Sequence, residues 1–216
     1  GRKETTVIDI GALENIFIRV PQIAAIVHKI SAFKDESFET IVSADTPFGI
    51  PSNVKYSKKR PFDVSETKNE EFSLLVYYIE KMIRRVGYVR DVDIRKNRQD
   101  IGKWKVFIPE AAGSGNDKKV IGMPEIAGPN SVCSQSYLYI STQSEKEAQN
   151  ILSYLKTRFV RFLVSAIKIT QHAHADVYRF VPIQDWSKSW SDAKLYKKYN
   201  LTKEEIAYIE STIKPM

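Results

Sequence analysis

The stretch Asn150–Gln171, NILSYLKTRFVRFLVSAIKITQ, constrains the fold more than any other part of this chain. At about 100° per residue, Ile151, Leu152, Leu155, Phe159, Phe162, Leu163, Ala166 and Ile167 share one broad arc. Asn150, Tyr154, Arg158, Arg161, Ser165 and Lys168 form a narrow stripe opposite. The spacing predicts a helical region with one side in a core. No acid occurs between Glu147 and Asp176, so the charges of the polar stripe are all basic, which suits an anionic partner. Lys156 falls at the edge of the apolar arc and reads either as a snorkelling side chain or as a break between consecutive helices.

The sequence around this region alternates between strand and helix patterns. Thr5–Gly11, Ser37–Ala44, Phe72–Ile79, Gly87–Ile94, Lys103–Pro109, Val120–Met123, Val132–Ser141 and Val177–Pro182 read as strands. The pair at Phe72–Ile79 and Gly87–Ile94 implies a turn near Arg84–Gly87, with a helix over Glu71–Arg85 as the alternative. Val20–Phe33 reads as a helix with Pro21 in its first turn, where a missing N–H costs least. Ser144 with Glu147 and Thr202 with Glu205 have the spacing of capping boxes. Two short helices, Ser191–Tyr199 and Thr202–Ile213, close the chain. The expected fold class is α+β: a central mostly antiparallel or mixed sheet, a long amphipathic helix region and two short C-terminal helices.

A chain of 216 residues can bury a sizeable core, roughly 70% of its unfolded surface. Its net charge is +7 and its pI about 9.3, which favours nucleic acid or another acidic surface. Residues 1–100 account for +2 and residues 101–216 for +5. Thr46–Lys68 is loop-rich and holds the basic cluster Lys55, Lys58, Lys59 and Arg60. The single cysteine, Cys133, excludes an internal disulfide framework and a multi-cysteine zinc site, and fits a reducing cytoplasm. No apolar run approaches the ~20 residues of a membrane span.

Catalytic patterns are sparse. The glycines of Lys105–Asn116, KVFIPEAAGSGN, would let a backbone approach a phosphate or base edge, but the segment lacks the ending of a Walker loop. His172, His174 and Asp176 do not make a convincing metal set, and His28 reads as a partly buried helix residue. Asp91, Asp93 and Lys96 lie close in sequence without the order of a Mg²⁺ nuclease centre.

Five ordered segments carry a family resemblance: KVFIPEAAGSGN, IAGPNSVCSQSYLYIS, EAQNILSYLKTRFVRFLVSAIKITQHA, YRFVPIQDW and LYKKYNLTKEEIAYIESTIKPM. In that order they resemble the C-terminal region of bacterial adenine-specific DNA methyltransferases of restriction–modification systems, including fused methylase–endonuclease types. The resemblance runs from about Lys103 to Met216, with TPFGIPSNV (Thr46–Val54) similar to a segment near the start of the same region. It implies a target-recognition domain over residues 46–216, with 1–45 joining a catalytic domain or continuous with the rest. The Asn/Asp-Pro-Pro-aromatic motif and the glycine-rich S-adenosylmethionine loop of the family do not occur in this sequence. The resemblance therefore implies a C-terminal fragment with no catalytic residues, no metal and no cofactor of its own. It places S-adenosylmethionine in the missing catalytic domain.

Double-stranded DNA and that catalytic domain are the partners this reading expects, in the cytoplasm. Residue chemistry assigns phosphates to Arg158, Arg161 and Lys168, with Lys103 and Lys105 beside them. Base edges suit Ser114, Asn116, Asn130, Gln135 and Gln171. Ordinary pairing of Arg158 and Arg161 with Glu145, Asp185 or Asp192 is the competing explanation of the stripe. A protein-docking module and a Mg²⁺-dependent endonuclease domain are the competing functions, in that order.

Overall fold

The structure is a computed structural model that describes residues 20–52, 54, 62–110, 120–167 and 174–216. Among the described residues, five α-helices and two three-stranded sheets give an α+β fold. The first sheet holds β1 (Phe72–Glu80), β2 (Ile83–Arg90) and β5 (Ser131–Cys133) in the order β2-β1-β5, with β5 parallel to β1. The second holds β3 (Trp104–Pro109), β4 (Glu125–Ala127) and β6 (Tyr137–Thr142), antiparallel throughout and in the order β4-β3-β6. The expected single sheet is thus two.

Strand β3 lies at the centre of a three-layer arrangement. Val106 and Ile108 face a core built with α1 (Pro21–Ser31), α2 (Glu145–Leu155), α3 (Arg158–Ile167), α4 (Asp192–Lys198) and α5 (Lys203–Thr212). Phe107 faces a second core shared with Tyr137, Tyr139 and the first sheet. A strand covered on both faces reads as an unbroken apolar run, which is why KVFIP was legible. Helix α1 belongs to the first core through Ile26, Val27 and Ile30, so the described part of residues 20–45 is integral to it.

The long helical region breaks where Lys156 suggested. Lys156 is the C-cap of α2, and Arg158 opens α3. The Asp192 carboxylate, from the start of α4, accepts the N–H groups of Arg158 (3.1 Å) and Phe159 (2.9 Å), satisfying donors that a helix start leaves open. Thr202 and Glu205 form the expected capping box. At α2 only half of the box forms: Ser144 accepts from the Glu147 N–H, while the Glu147 carboxylate takes the Gln143 N–H at 2.8 Å.

Several expected strands differ. Ser37–Ala44 and Val177–Pro182 contribute only a bridge between Ser37 and Pro182; Phe38–Ile41 and Ala175–Tyr178 are 3₁₀ turns. Phe38, Val42, Val177, Tyr178, Phe180 and Val181 are buried all the same, so hydrophobicity reported the core and not the backbone state. Val120–Met123 is not a strand; β4 begins two residues later. Val132–Ser141 splits at Ser134–Ser136, where the chain passes from one sheet to the other. The Thr5–Gly11 strand, the Lys55–Arg60 cluster and most of the glycine-bearing loop lie outside the described residues.

The β1–β2 turn is at Lys81–Met82, not at Arg84–Gly87. Both turn residues have positive φ, 48° and 64°, in the hairpin position that Asn-Gly normally fills. Neither is glycine, so the backbone carries roughly 1–2 kcal/mol of strain at each. Gly87 serves a different purpose within β2. A Cβ there would stand 2.4 Å from Val64 Cγ1 and 3.0 Å from the Ser65 carbonyl, because the incoming segment crosses the strand at that point.

Candidate nucleic-acid interface

The described cations assigned to phosphates, Arg158, Arg161, Lys103 and Lys105, do not form a common surface, because two of them are buried. Arg161 is fully buried, and its guanidinium donates from Nε to the Thr157 carbonyl (3.2 Å) and from Nη1 to the Lys214 carbonyl (2.7 Å). Burial lowers its pKa. It ties α3 to the C-terminal segment, which corrects its assignment as a DNA contact. Lys105 needs the same correction. Its alternation with Phe107 turns it inward, where the ammonium is fully buried and donates to the carbonyls of Asp100 (2.7 Å), Ile101 (3.0 Å) and Lys103 (2.5 Å). Desolvation pushes its pKa down to about 8.

The remaining assigned residues are scattered. Arg158 pairs with Glu210 of α5 at 3.5 Å, and Asp192, one of the acids considered in the sequence, accepts the Arg158 N–H and acts on Arg161 through its charge. Lys103 pairs with Asp100 at 2.8 Å. Burial opposes ionisation of Asp100, but hydrogen bonds from Lys103 and Tyr139 outweigh it and keep the carboxyl below its usual range. Asn130 is exposed in a positive-φ turn before β5, at the Ile101 end of the sheet, where its N–H reaches the Ile101 carbonyl at 2.9 Å. Gln135 lies past the other end of β5, its N–H on the Ile50 carbonyl at 2.8 Å. Lys168, Ser114, Asn116 and Gln171 lie outside the described residues.

Asp91 and Asp93 are taken up by Arg98 (2.5 Å) and Arg90 (2.7 Å). Among the described residues no group of three potential metal ligands occurs. His28 is exposed, contrary to its expected burial. No described helix is long and apolar enough to cross a membrane.

A different surface stands out at the Gln135 end of the first sheet. Pairing of β1 with β5 stops at Tyr77, whose carbonyl takes the Ser134 N–H at 2.9 Å. Beyond it the pairs Tyr78–Arg85, Ile79–Arg84 and Glu80–Ile83 continue as a two-stranded ribbon, extending roughly 10 Å at 3.4 Å per residue. Of seven large apolar side chains exposed among the described residues, three are on this ribbon: Met82 (87%), Ile83 (53%) and Val86 (58%). A fourth, Met123, is adjacent, since Arg84 donates to its carbonyl at 2.6 Å and to Glu125 at 3.1 Å. Arg84 thereby props the ribbon against β4.

Two more cations are less engaged. Arg85 is half-exposed, with Glu80 as far as 4.0 Å away, and Lys81 is exposed at the turn. Sequence reasoning passed over this ribbon because the turn was placed within β2. The usable signal was EKMIRRV itself: after Glu80, three cations interleave with three apolar residues.

No protein-family model matches the chain, and no curated protein matches it either.

Proposed function

We propose that this chain is the DNA target-recognition domain of an S-adenosylmethionine-dependent N6-adenine DNA methyltransferase from a restriction–modification system. The observation that carries the reading is the ordered set of resembling segments. They supply β3, the β4–β6 region, α2–α3, the turn around Phe180–Trp186 and α4–α5, and residues from every one of them meet in the first core. A shared framework makes their order meaningful where each motif alone is weak. The net charge of +7 supports a polyanionic partner. In this reading methyl transfer and cofactor binding belong to a catalytic domain, and this chain positions the duplex.

The test is binding of the chain to mixed-sequence duplex DNA, followed by fluorescence anisotropy between 50 and 200 mM salt. The logarithm of affinity should fall linearly with log salt, by about 0.9 per phosphate neutralised. No retention of duplex at the lowest salt rules the reading out. The exposed Met82, Ile83 and Val86 favour a second reading, a module that docks another protein domain.

A further inference from the structure

Resting on the DNA-recognition reading, we propose that the β1–β2 ribbon is the element that enters the major groove of the duplex. Lys81 and Arg85 meet phosphates, while Met82 and Ile83 lie against base edges. Arg84 is a positioning residue, holding the ribbon's angle through Met123 and Glu125.

Dimensions carry the first part of the argument. A major groove about 12 Å wide and 8.5 Å deep admits a two-stranded ribbon. The ribbon reaches roughly 10 Å beyond the third strand; its β1 side stays on the second core through Tyr78 and Ile79, so the tip and the β2 side are what it presents, and the segment that covers β2 bridges to it at Ser65–Tyr88, below the exposed residues. Above Gly87, residues Ile83, Arg84, Arg85 and Val86 are all exposed.

Residue order carries the second part. Strand alternation places Ile83 with Arg85 on one face and Arg84 with Val86 on the other. On the Ile83 face the exposed apolar side chain has Arg85 beside it and Glu80 opposite, so charge surrounds it, whereas Val86 lies with Arg84 and, across the ladder, Tyr77 and Ile79. A protein-docking surface concentrates apolar residues at its centre and excludes charge. Guarding a bare strand edge against aggregation would account for the arginines, yet it would not leave Met82 and Ile83 in water. Phosphate contact by cations with apolar contact to thymine methyl groups accounts for both.

The turn supplies the third part. Lys81 and Met82 occupy left-handed positions that Asn-Gly would fill without strain. The strained pair places two long side chains, one cationic and one apolar, at the leading tip of the ribbon.

The experiment compares wild type, Lys81→Asn/Met82→Gly and Arg85→Ala for mixed-sequence duplex binding across the salt series. The double variant improves the turn, so its thermal midpoint should equal or exceed that of wild type, separating lost binding from lost folding. Each variant is expected to lower affinity about tenfold at 0.1 M salt and to reduce the salt slope by about 0.9. Variants that bind with wild-type affinity and slope overturn the ribbon assignment and leave the recognition-domain reading standing. Wild type that fails to bind overturns both. Unchanged DNA affinity with altered sedimentation identifies a protein-docking ribbon and also overturns the proposal.

Discussion

Two regions of this molecule present arginines on amphipathic elements, with opposite outcomes. On α3, Arg158 and Arg161 sit on the polar stripe of a helix, yet one is paired with Glu210 and the other is buried beneath the C-terminal segment. On the β1–β2 ribbon, Arg84 and Arg85 belong to a strand with good apolar alternation, yet both keep 41% and 51% of their side-chain surface in water. The difference lies in what arrives from elsewhere in the chain. Helices α4 and α5 return to cover α3, whereas among the described residues cover over β2 ends at Gly87. A polar stripe read from periodicity does not report what the rest of the chain closes over: in this one Asn150, Tyr154 and Arg161 are all buried.

The largest test of this contrast is Arg161→Ala. It removes the largest fully buried side chain among the described residues, leaves the Lys214 carbonyl without its donor and leaves the Thr157 carbonyl with only the backbone N–H of residue 161. A cavity of that size with lost charged hydrogen bonds should cost about 3 kcal/mol of unfolding free energy. Urea denaturation measures it. Among molecules that remain folded, the salt slope of DNA binding should be unchanged, because this arginine faces no phosphate. A reduced slope with little loss of stability would reverse the assignment and return α3 to the interface.

Glu110 probes the end of β3 nearest the Ser134–Ser136 corner, where its N–H reaches the Ser136 carbonyl at 3.0 Å. Its carboxyl is buried, with Oε1 unpartnered, and burial together with the nearby Asp45 pushes its pKa up to about 7. The folded state thus holds a proton that the unfolded chain, titrating near 4.5, releases. Its stabilising contribution is present below the unfolded value and is lost as pH rises through about 7, with a slope of at most roughly 1.4 kcal/mol per pH unit. Glu110→Gln should flatten that slope in thermal denaturation between pH 4.5 and 7. An unchanged slope would mean that the carboxyl is ionised in the fold.

The legibility of the sequence follows the same distinction between local and returning structure. The β3 segment KVFIP, the break at Lys156 and the Thr202 capping box were readable because each rests on a few adjacent residues. The β1–β2 turn was not, because Lys81 and Met82 carry no turn chemistry, while Gly87, the obvious turn former, is used for close approach to Val64 and Ser65. The passage between sheets at Ser134–Ser136 has neither glycine nor proline to announce it. Of the site, Gln135 was chosen for its amide and lies at the ribbon's end of the sheet, but Arg161 and Lys105 were chosen for charge alone. Their burial depends on Lys214, 53 residues away, and on the Asp100–Lys103 turn that wraps the Lys105 ammonium. Neither fact is contained in helical or strand periodicity.

The smaller tests concern groups at the two surfaces. Asp192→Ala removes the carboxylate that accepts the first two N–H groups of α3, and loss of such a cap should cost about 1 kcal/mol. The same carboxylate means that the positive end of α3 is already satisfied from within the chain, so the variant should not weaken DNA binding. Arg85→Ala reverses that pattern. With its nearest carboxylate at 4.0 Å and half its surface in water, Arg85 should contribute less than about 0.5 kcal/mol to stability. Its loss should nevertheless appear in the salt slope of duplex binding. A side chain that matters to the fold hardly at all and to the complex measurably is what separates the ribbon from the helix. If Arg85→Ala instead destabilised the chain as Arg161→Ala does, the ribbon would be part of the scaffold and the contrast between the two regions would disappear.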